Sequence, residues 1–259
     1  MVKAYEPAGA LELAARLRAA GCVFAEDEAA ILIDVAGSAT ELERMVNRRV
    51  GGEPIEHIVG WAAFCGLRVA VEPGVFVPRR RTEFLVEHSV ALMPPKAVVL
   101  DLCCGAGAIG AALLARSPGV SLYAADVDPA AVACARRNLA APVYEGDLYE
   151  PLPPTLRGTV DLIVANVPYV PTDGVPLLPS EARDHEPLTA LDGGADGLAV
   201  LRRVAAEAPR WLRSGGHLLI ETSERQVAAA VQAFERSGLR AQTKGDDERG
   251  ATVVVGTAA

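Results

Sequence analysis

The 259-residue chain has only five cysteines, Cys22, Cys65, Cys103, Cys104 and Cys134, and no two of them stand in a C-x-x-C spacing. An odd, unspaced set in mostly apolar stretches argues against a disulfide framework or a thiolate zinc site, and it fits reduced thiols in a cytoplasm. Histidine is scarce as well. His57, His88, His185 and His217 are scattered without ligand spacing, so no metal site is expected. No run approaches the ~20 apolar residues needed to cross a bilayer. Glu6, Pro7 and Glu12 interrupt the N-terminal stretch, so a signal peptide is not expected either. Basic residues are in deficit: 25 Lys+Arg against 33 Asp+Glu leave a net charge of −8. Affinity for phosphates comes largely from Lys and Arg, so this balance disfavours nucleic acid as the main partner. These absences lead to an expectation of a soluble cytoplasmic protein with no membrane partner.

Hydrophobic residues, by contrast, make up 51% of the chain and charged residues 22%, enough to bury a substantial core. Residues 8 to about 50 read as helices. Leu11, Leu13, Ala14, Leu17 and Ala20 form one apolar face, and Ala29, Ile31, Leu32, Val35 and Ala36 form another. A third short helix is predicted over Ala39–Arg48, stopped by Gly51-Gly52. About fifty residues of helix are marginal alone, which predicts a small helical unit over 1–52 packed on the rest. The segment 53–95 reads as a connection. A β-hairpin is predicted from Leu67–Val71 to Val75–Val77 around the Pro73-Gly74 turn. A linker helix follows from Thr82, its expected N-cap. From residue 96 onward strands alternate with helices.

Strands are predicted at 97–102, 120–125, 142–145, 160–165, 216–221, 239–244 and 251–257. Helices are predicted at 107–116, 128–140, 195–213 and 223–237. Such alternation specifies an α/β fold with a mostly parallel sheet covered on both faces. The short GDDERG link forces the last two strands to pair antiparallel at a sheet edge.

The first of these strands runs into Asp101-Leu-Cys-Cys-Gly-Ala-Gly107. Glycines where a strand turns into a helix let a ligand approach the backbone closely. Alone that signal is weak, since tight turns share it. Asp101 before the loop, Asp126 at the end of the next strand and Asp147 after a third strengthen it. Asp126 is placed to accept hydrogen bonds from ribose hydroxyls. Three acids at successive strand ends suit a cationic sulfonium amino acid with an adenosine tail, S-adenosyl-L-methionine. The alternative, that these acids are helix N-caps, holds for Asp128 before Pro129 and explains the three poorly. Strand 160–165 ends in Asn166-Val-Pro-Tyr169. An Asn carbonyl can accept from an NH₂ group while an aromatic packs on its π face. From spacing alone, an ordinary proline turn accounts for this segment equally well.

The combination of motifs is more specific. Gly52-Glu-Pro-Ile55, Phe64-x-Gly-Leu67 and Val77-Pro-Arg79-x-x-Thr-Glu83 precede the sheet. Val99-Leu-Asp-Leu102 through Gly107, Gly146-Asp-Leu-Tyr-Glu-Pro151 and Asn166-x-Pro-Tyr169 lie within it. Glu186-Pro187 and Ala190-Leu-Asp-Gly-Gly-x-Asp-Gly197 complete the set. From about residue 51 onward the chain resembles the PrmC/HemK family, which methylates the glutamine amide nitrogen of peptide-chain release factors. That resemblance implies a seven-stranded, Rossmann-like class I methyltransferase sheet with its last strand antiparallel, over residues 96–259. It implies a helical substrate-recognition domain over 1–52, with the hairpin and linker helix between.

It also implies roles for single residues. Cys103, Cys104, Gly105, Ala106 and Gly107 would wrap the methionine part of the cofactor, and Asp101 would also bind the cofactor. Asp126 would hold the ribose, and Asp147 with Leu148 would border the adenine. Asn166, also beside the cofactor, would form the catalytic segment with Pro168 and Tyr169. Asn166 and the Val167 carbonyl would accept the two amide hydrogens of the substrate, with Arg79 and Glu83 nearby. The implied partner is a protein bearing an exposed glutamine, a release factor, and the implied state is a monomer.

Three departures from the family pattern stand out: Val167 replaces a proline, Cys103 and Cys104 replace glycine and threonine, and the N-terminal helical region is short. They keep alternatives open. A small-molecule amide or amine acceptor comes first, then a nucleic-acid adenine acceptor, then a non-catalytic cofactor-binding module. Arg79-Arg-Arg81 reads as local salt bridges or an acidic-partner contact, and Trp61 and Trp211 as packing.

Overall fold

The computed structural model describes residues 7–259; Glu6, which bears on the signal-peptide reading, lies outside them. Helices α1 (Pro7–Ala19), α2 (Ala25–Val35) and α3 (Ala39–Val50) come first, followed by the short α4 (Ile55–Val59). Their apolar faces meet in a core of their own, where Leu17, Leu32 and Val46 are fully buried. Each such side chain contributes about 1.5–3 kcal/mol by leaving water. Ser38 caps α3 by accepting from the Glu41 amide at 3.1 Å. Arg49 on α3 and Glu28 on α2 form a bidentate pair at 2.6 and 3.0 Å, buried between the helices. Arg49 also reaches Glu181, far along the chain in the segment after the fourth parallel strand, at 3.4 Å.

A hairpin follows, but not the predicted one. Strand β1 (Trp61–Phe64) pairs with β2 (Leu67–Ala70) through a turn at Cys65-Gly66. Both turn residues have positive φ, 51° and 81°, the geometry that matches strand twist in a two-residue hairpin. Pro73-Gly74 makes a local turn, closed by the Val75 amide on the Glu72 carbonyl, and Val75 and Val77 bury themselves in the core without strand pairing. Helix α5 (Glu83–Leu92) then leads into the sheet. Thr82 occupies its N-cap position but makes no capping bond: its backbone is already helical (φ −67°, ψ −15°), and its hydroxyl accepts from Asn166 instead.

The sheet contains β3 (Val98–Leu102), β4 (Ser121–Asp126), β5 (Val143–Glu145), β6 (Val160–Ala165), β7 (Leu212–Glu221), β8 (Arg240–Asp246) and β9 (Ala251–Thr257). Their order is β5-β4-β3-β6-β7-β9-β8. Five strands are parallel, and β9 runs antiparallel between β7 and the edge strand β8. Helices α6 (Ala108–Arg116), α7 (Pro129–Asn138), α10 (Ala199–Trp211) and α11 (Val227–Arg236) link the strands. Two further helices, α8 (Ser180–His185) and α9 (Leu188–Leu191), lie in the long segment after β6, for which no element was predicted. No helix among the described residues is long and apolar enough to cross a membrane.

The register places the site. Leu102 of β3 pairs with Ala125 of β4 and with Ala165 of β6, and Ala165 pairs with Ile220 of β7. Cys103, Asp126, Asn166 and Glu221 are therefore the next residues at the same level on four neighbouring strands. The connections diverge between β3 and β6, which opens a crevice at the strand ends.

Candidate active site

That crevice is a cleft of about 1310 Å³. One wall is the glycine loop, the other the Asn166–Tyr169 segment, and Phe64, Phe76 and Thr82 close it from the hairpin side.

The glycine wall is built from neighbours in sequence. Cys103, Gly105 and Gly107 all have positive φ, at 54°, 54° and 77°. A Cβ on Gly105 would meet only open space, while one on Gly107 would stand 2.9 Å from a Leu139 methyl. The first glycine thus exposes backbone to the cleft, and the second lets the loop close onto α7. Asp126 accepts the Gly105 amide at 2.8 Å through one oxygen and the Asp128 amide at 3.0 Å through the other. Each oxygen keeps a lone pair for a further donor such as a diol hydroxyl. Burial raises the Asp126 carboxyl above the ordinary aspartate value, and the backbone amides oppose that shift.

Asp101, expected at the cofactor, is fully buried and lies outside the cleft lining. Its Oδ2 accepts the Gly110 amide at 2.9 Å and braces the start of α6. Its Oδ1 has no partner, and burial raises the carboxyl to about 7. Asp147 and Leu148 do line the cleft; Leu148 has φ of 51°, and Asp147 pairs with Arg203 at 2.6 Å on the surface. The thiols of Cys103 and Cys104 are pushed well up by burial, and by Asp126 and Asp101 beside them. They stay protonated, as packing groups do and nucleophiles do not.

The opposite wall is assembled from distant segments. The Asn166 side-chain NH₂ donates to the Thr82 hydroxyl at 3.4 Å, which leaves its carbonyl oxygen for another donor. The Tyr169 hydroxyl touches Arg81 and lies 3.5 Å from Glu221. The Tyr169 carbonyl accepts from Gln226 at 2.9 Å. Burial, then Glu221, raise the Tyr169 phenol, while Arg81 lowers it. Arg79 does line the cleft, but it is committed to Glu186 at 2.6 and 2.7 Å. Glu186 also accepts the Val77 amide, so this buried carboxylate ties the segment before α5 to the lip of the cleft. Glu83 lies outside the lining and accepts the Cys65 amide at 2.8 Å, which fixes the hairpin turn. The residues that sequence reasoning passed over are Thr82 as a side-chain partner, Glu221 and Gln226; Arg81 was read only as a local salt-bridging arginine, and it does pair with Glu221 at 3.1 Å. Only the strand-end position of Glu221 offered a signal.

Fold, glycine loop and strand-end acids together define a class I methyltransferase architecture. Solved structures show the same fold: a methyltransferase from Pyrococcus furiosus has a TM-score of 0.57 at 16% identity, covering 74% of this chain and 89% of that one. Ribosomal protein L11 methylase from Lactobacillus delbrueckii has a TM-score of 0.51 at 16% identity, covering 70% of this chain and 81% of that one. Residues 66–175 match the methyltransferase small domain family model. The release factor glutamine methyltransferase of Mycolicibacterium smegmatis is 44% identical over 201 residues, 76% of this chain and 71% of the relative. That of Geobacter sulfurreducens is 38% identical, covering 82% and 75%. The 4-amino-L-phenylalanine/4-methylamino-L-phenylalanine methyltransferase of Streptomyces pristinaespiralis is 36% identical, covering 74% and 69%. The chain belongs to the release factor glutamine methyltransferase family.

Proposed function

We propose that the chain transfers a methyl group from S-adenosyl-L-methionine to the side-chain amide nitrogen of a glutamine in a peptide-chain release factor. The observation that carries this reading is the Asn166 amide, whose NH₂ is held by Thr82 so that its oxygen is left to accept from a substrate N–H. The cofactor supplies an electrophilic methyl group on a positively charged sulfur. Around it, Gly105 offers a close backbone approach while Gly107 seats the loop on α7 outside the cleft lining, Asp126 offers acceptors to the ribose, and Asp147 with Leu148 border the base.

An amide nitrogen is a poor nucleophile because its lone pair is delocalised into the carbonyl. Asn166 Oδ1 and the Val167 carbonyl would accept its two hydrogens and turn the lone pair toward the methyl group. Such preorganised acceptors also stabilise the positive charge that develops on nitrogen. Tyr169 would cover the amide plane, and Pro168 stiffens the segment. No strong base is required, since the proton leaves after transfer. Residues 1–52 would form the substrate-recognition domain of a cytoplasmic, monomeric enzyme.

A second reading, an aromatic amine on a free amino acid as acceptor, is favoured by the Streptomyces pristinaespiralis relative, which is as close as several of the glutamine enzymes. Incubation with labelled adenosylmethionine and either a release factor or 4-amino-L-phenylalanine separates the two. Label in the release factor alone is expected. Label in the amino acid alone would overturn the glutamine reading.

A further inference from the structure

Glu221 ends β7 at the level of Asn166 on β6, because Ile220 and Ala165 are paired. It is 2% exposed, and its Oε2 has no hydrogen-bond partner. Its other oxygen receives the Arg81 Nε at 3.1 Å and lies 3.5 Å from the Tyr169 hydroxyl. The Arg81 guanidinium touches that same hydroxyl, and its carbon stands 5.7 Å from the centroid of the Tyr169 ring. A buried carboxylate costs several kcal/mol of desolvation, and one partly exposed arginine compensates it incompletely. Such an arrangement at the rim of a reaction cleft serves poorly as a mere fastener. At its backbone end Tyr169 is held as firmly. Gln226 donates to the Tyr169 carbonyl at 2.9 Å, and a Cβ on Gly197 would lie 2.2 Å from that oxygen.

We propose that Arg81 and Glu221 are positioning residues for the acceptor, holding the Tyr169 ring as the fixed wall against which the substrate amide is aligned with Asn166. This deepens the glutamine-methylation reading and rests on it. Arg81 and Glu221 touch neither substrate nor cofactor in this role; they act through Tyr169. Thr82, next to Arg81, holds Asn166. One turn before α5 therefore sets both acceptor-side residues.

The test uses Arg81→Met, Arg81→Lys, Glu221→Gln and the Arg81→Met/Glu221→Gln pair, each alone and with Tyr169→Phe. The paired variant removes the stranded charge that Arg81→Met creates, so folding does not limit the comparison. Expected is a kcat for release-factor methylation lowered roughly 10- to 100-fold in Arg81→Met and in the paired variant, with Arg81→Lys recovering part of it. Cofactor affinity stays within about twofold, because the glycine wall is untouched. With Tyr169→Phe already present, Arg81→Met should lower kcat by less than about twofold further, as residues acting through one group are non-additive. An undiminished loss in that background, or a wild-type kcat with only a lower melting temperature, would overturn the proposal.

A readout independent of activity is the tyrosinate absorbance of Tyr169, taken as the difference from Tyr169→Phe. Its titration should move down in Glu221→Gln and up in Arg81→Met; no movement in either would also overturn it. A wild-type chain that leaves release factors unmethylated would defeat the acceptor reading, while this titration would still decide whether Arg81 and Glu221 hold Tyr169.

Discussion

The two walls of the cleft are made in opposite ways. Its cofactor wall is local: the glycine loop and Asp126 belong to one β-α-β unit with Asp128 just beyond it, and their bonds span no more than 21 residues. The acceptor wall is long-range, because Asn166, Tyr169 and Glu186 are oriented by Thr82, Arg81 and Arg79, about a third of the chain away. A wall of the first kind needs only a register and a few glycines. The second kind requires the hairpin segment, the post-β6 lip and the end of β7 to pack before any of its side chains is aimed. The cofactor wall should therefore survive damage to the acceptor wall.

The largest effect that can break this separation is on rate. Asn166→Ala should lower single-turnover methyl transfer by roughly 100-fold or more, the ~2.7–4 kcal/mol typical of losing one preorganised polar contact to a reacting group. Calorimetric titration of the same variant should give near-wild-type cofactor affinity. Asp126→Ala is the converse. It should weaken cofactor binding by about 1.5–3 kcal/mol, the usual loss for a charge-assisted hydrogen bond, with acceptor affinity little changed. An unchanged cofactor affinity would show that Asp126 has been assigned to the wrong ligand.

A third prediction concerns stability beneath the cofactor wall. Burial raises the Asp101 carboxyl from 3.8 to about 7, so the folded state holds a proton that the unfolded chain releases. The unfolded state binds fewer protons between these values, and stability falls as pH rises through that window. Below about 4 the contribution is fully present; above about 7 it is lost. Asp101→Asn should flatten this decline in denaturant midpoints measured across the window. An equally steep decline in the variant would mean that another group titrates. The smallest effect belongs to the thiols. Replacing Cys103 with Gly and Cys104 with Thr should change turnover by less than about threefold, since protonated buried thiols take no part in transfer. Loss of turnover in a folded variant that still binds cofactor would implicate a cysteine.

The same contrast explains what the sequence made legible. Alternating strands and helices announced every strand of the sheet, with 160–165 and 251–257 correct at both ends. Local spacing also marked the glycine loop and Asp126, because the chemistry there is carried by contiguous residues. The hairpin was misplaced because Pro73-Gly74 is a stronger turn signal than Cys65-Gly66, yet the left-handed pair at 65–66 is what strand twist requires. Thr82 was read as a cap because it precedes a helix; its real partner is 84 residues away, a distance no local pattern encodes. Arg79 was given two readings, a substrate contact and a salt bridge; it makes the salt bridge, and its partner, the buried Glu186, became visible only once the post-β6 lip was folded against the segment before α5. Glu221 drew no notice because it belongs to none of the recognised motifs, and its level with Asn166 appears only in the strand register.

The most direct test of the account is to locate the methyl group. A release factor is incubated with the wild-type chain and with Asn166→Ala, each saturated with labelled adenosylmethionine, and the protein is fragmented in a mass spectrometer. The account predicts a single methyl on the side-chain nitrogen of one glutamine with the wild-type chain, and almost none with Asn166→Ala in the same time. A methyl on any other atom, or an equal yield from the two proteins, would contradict it.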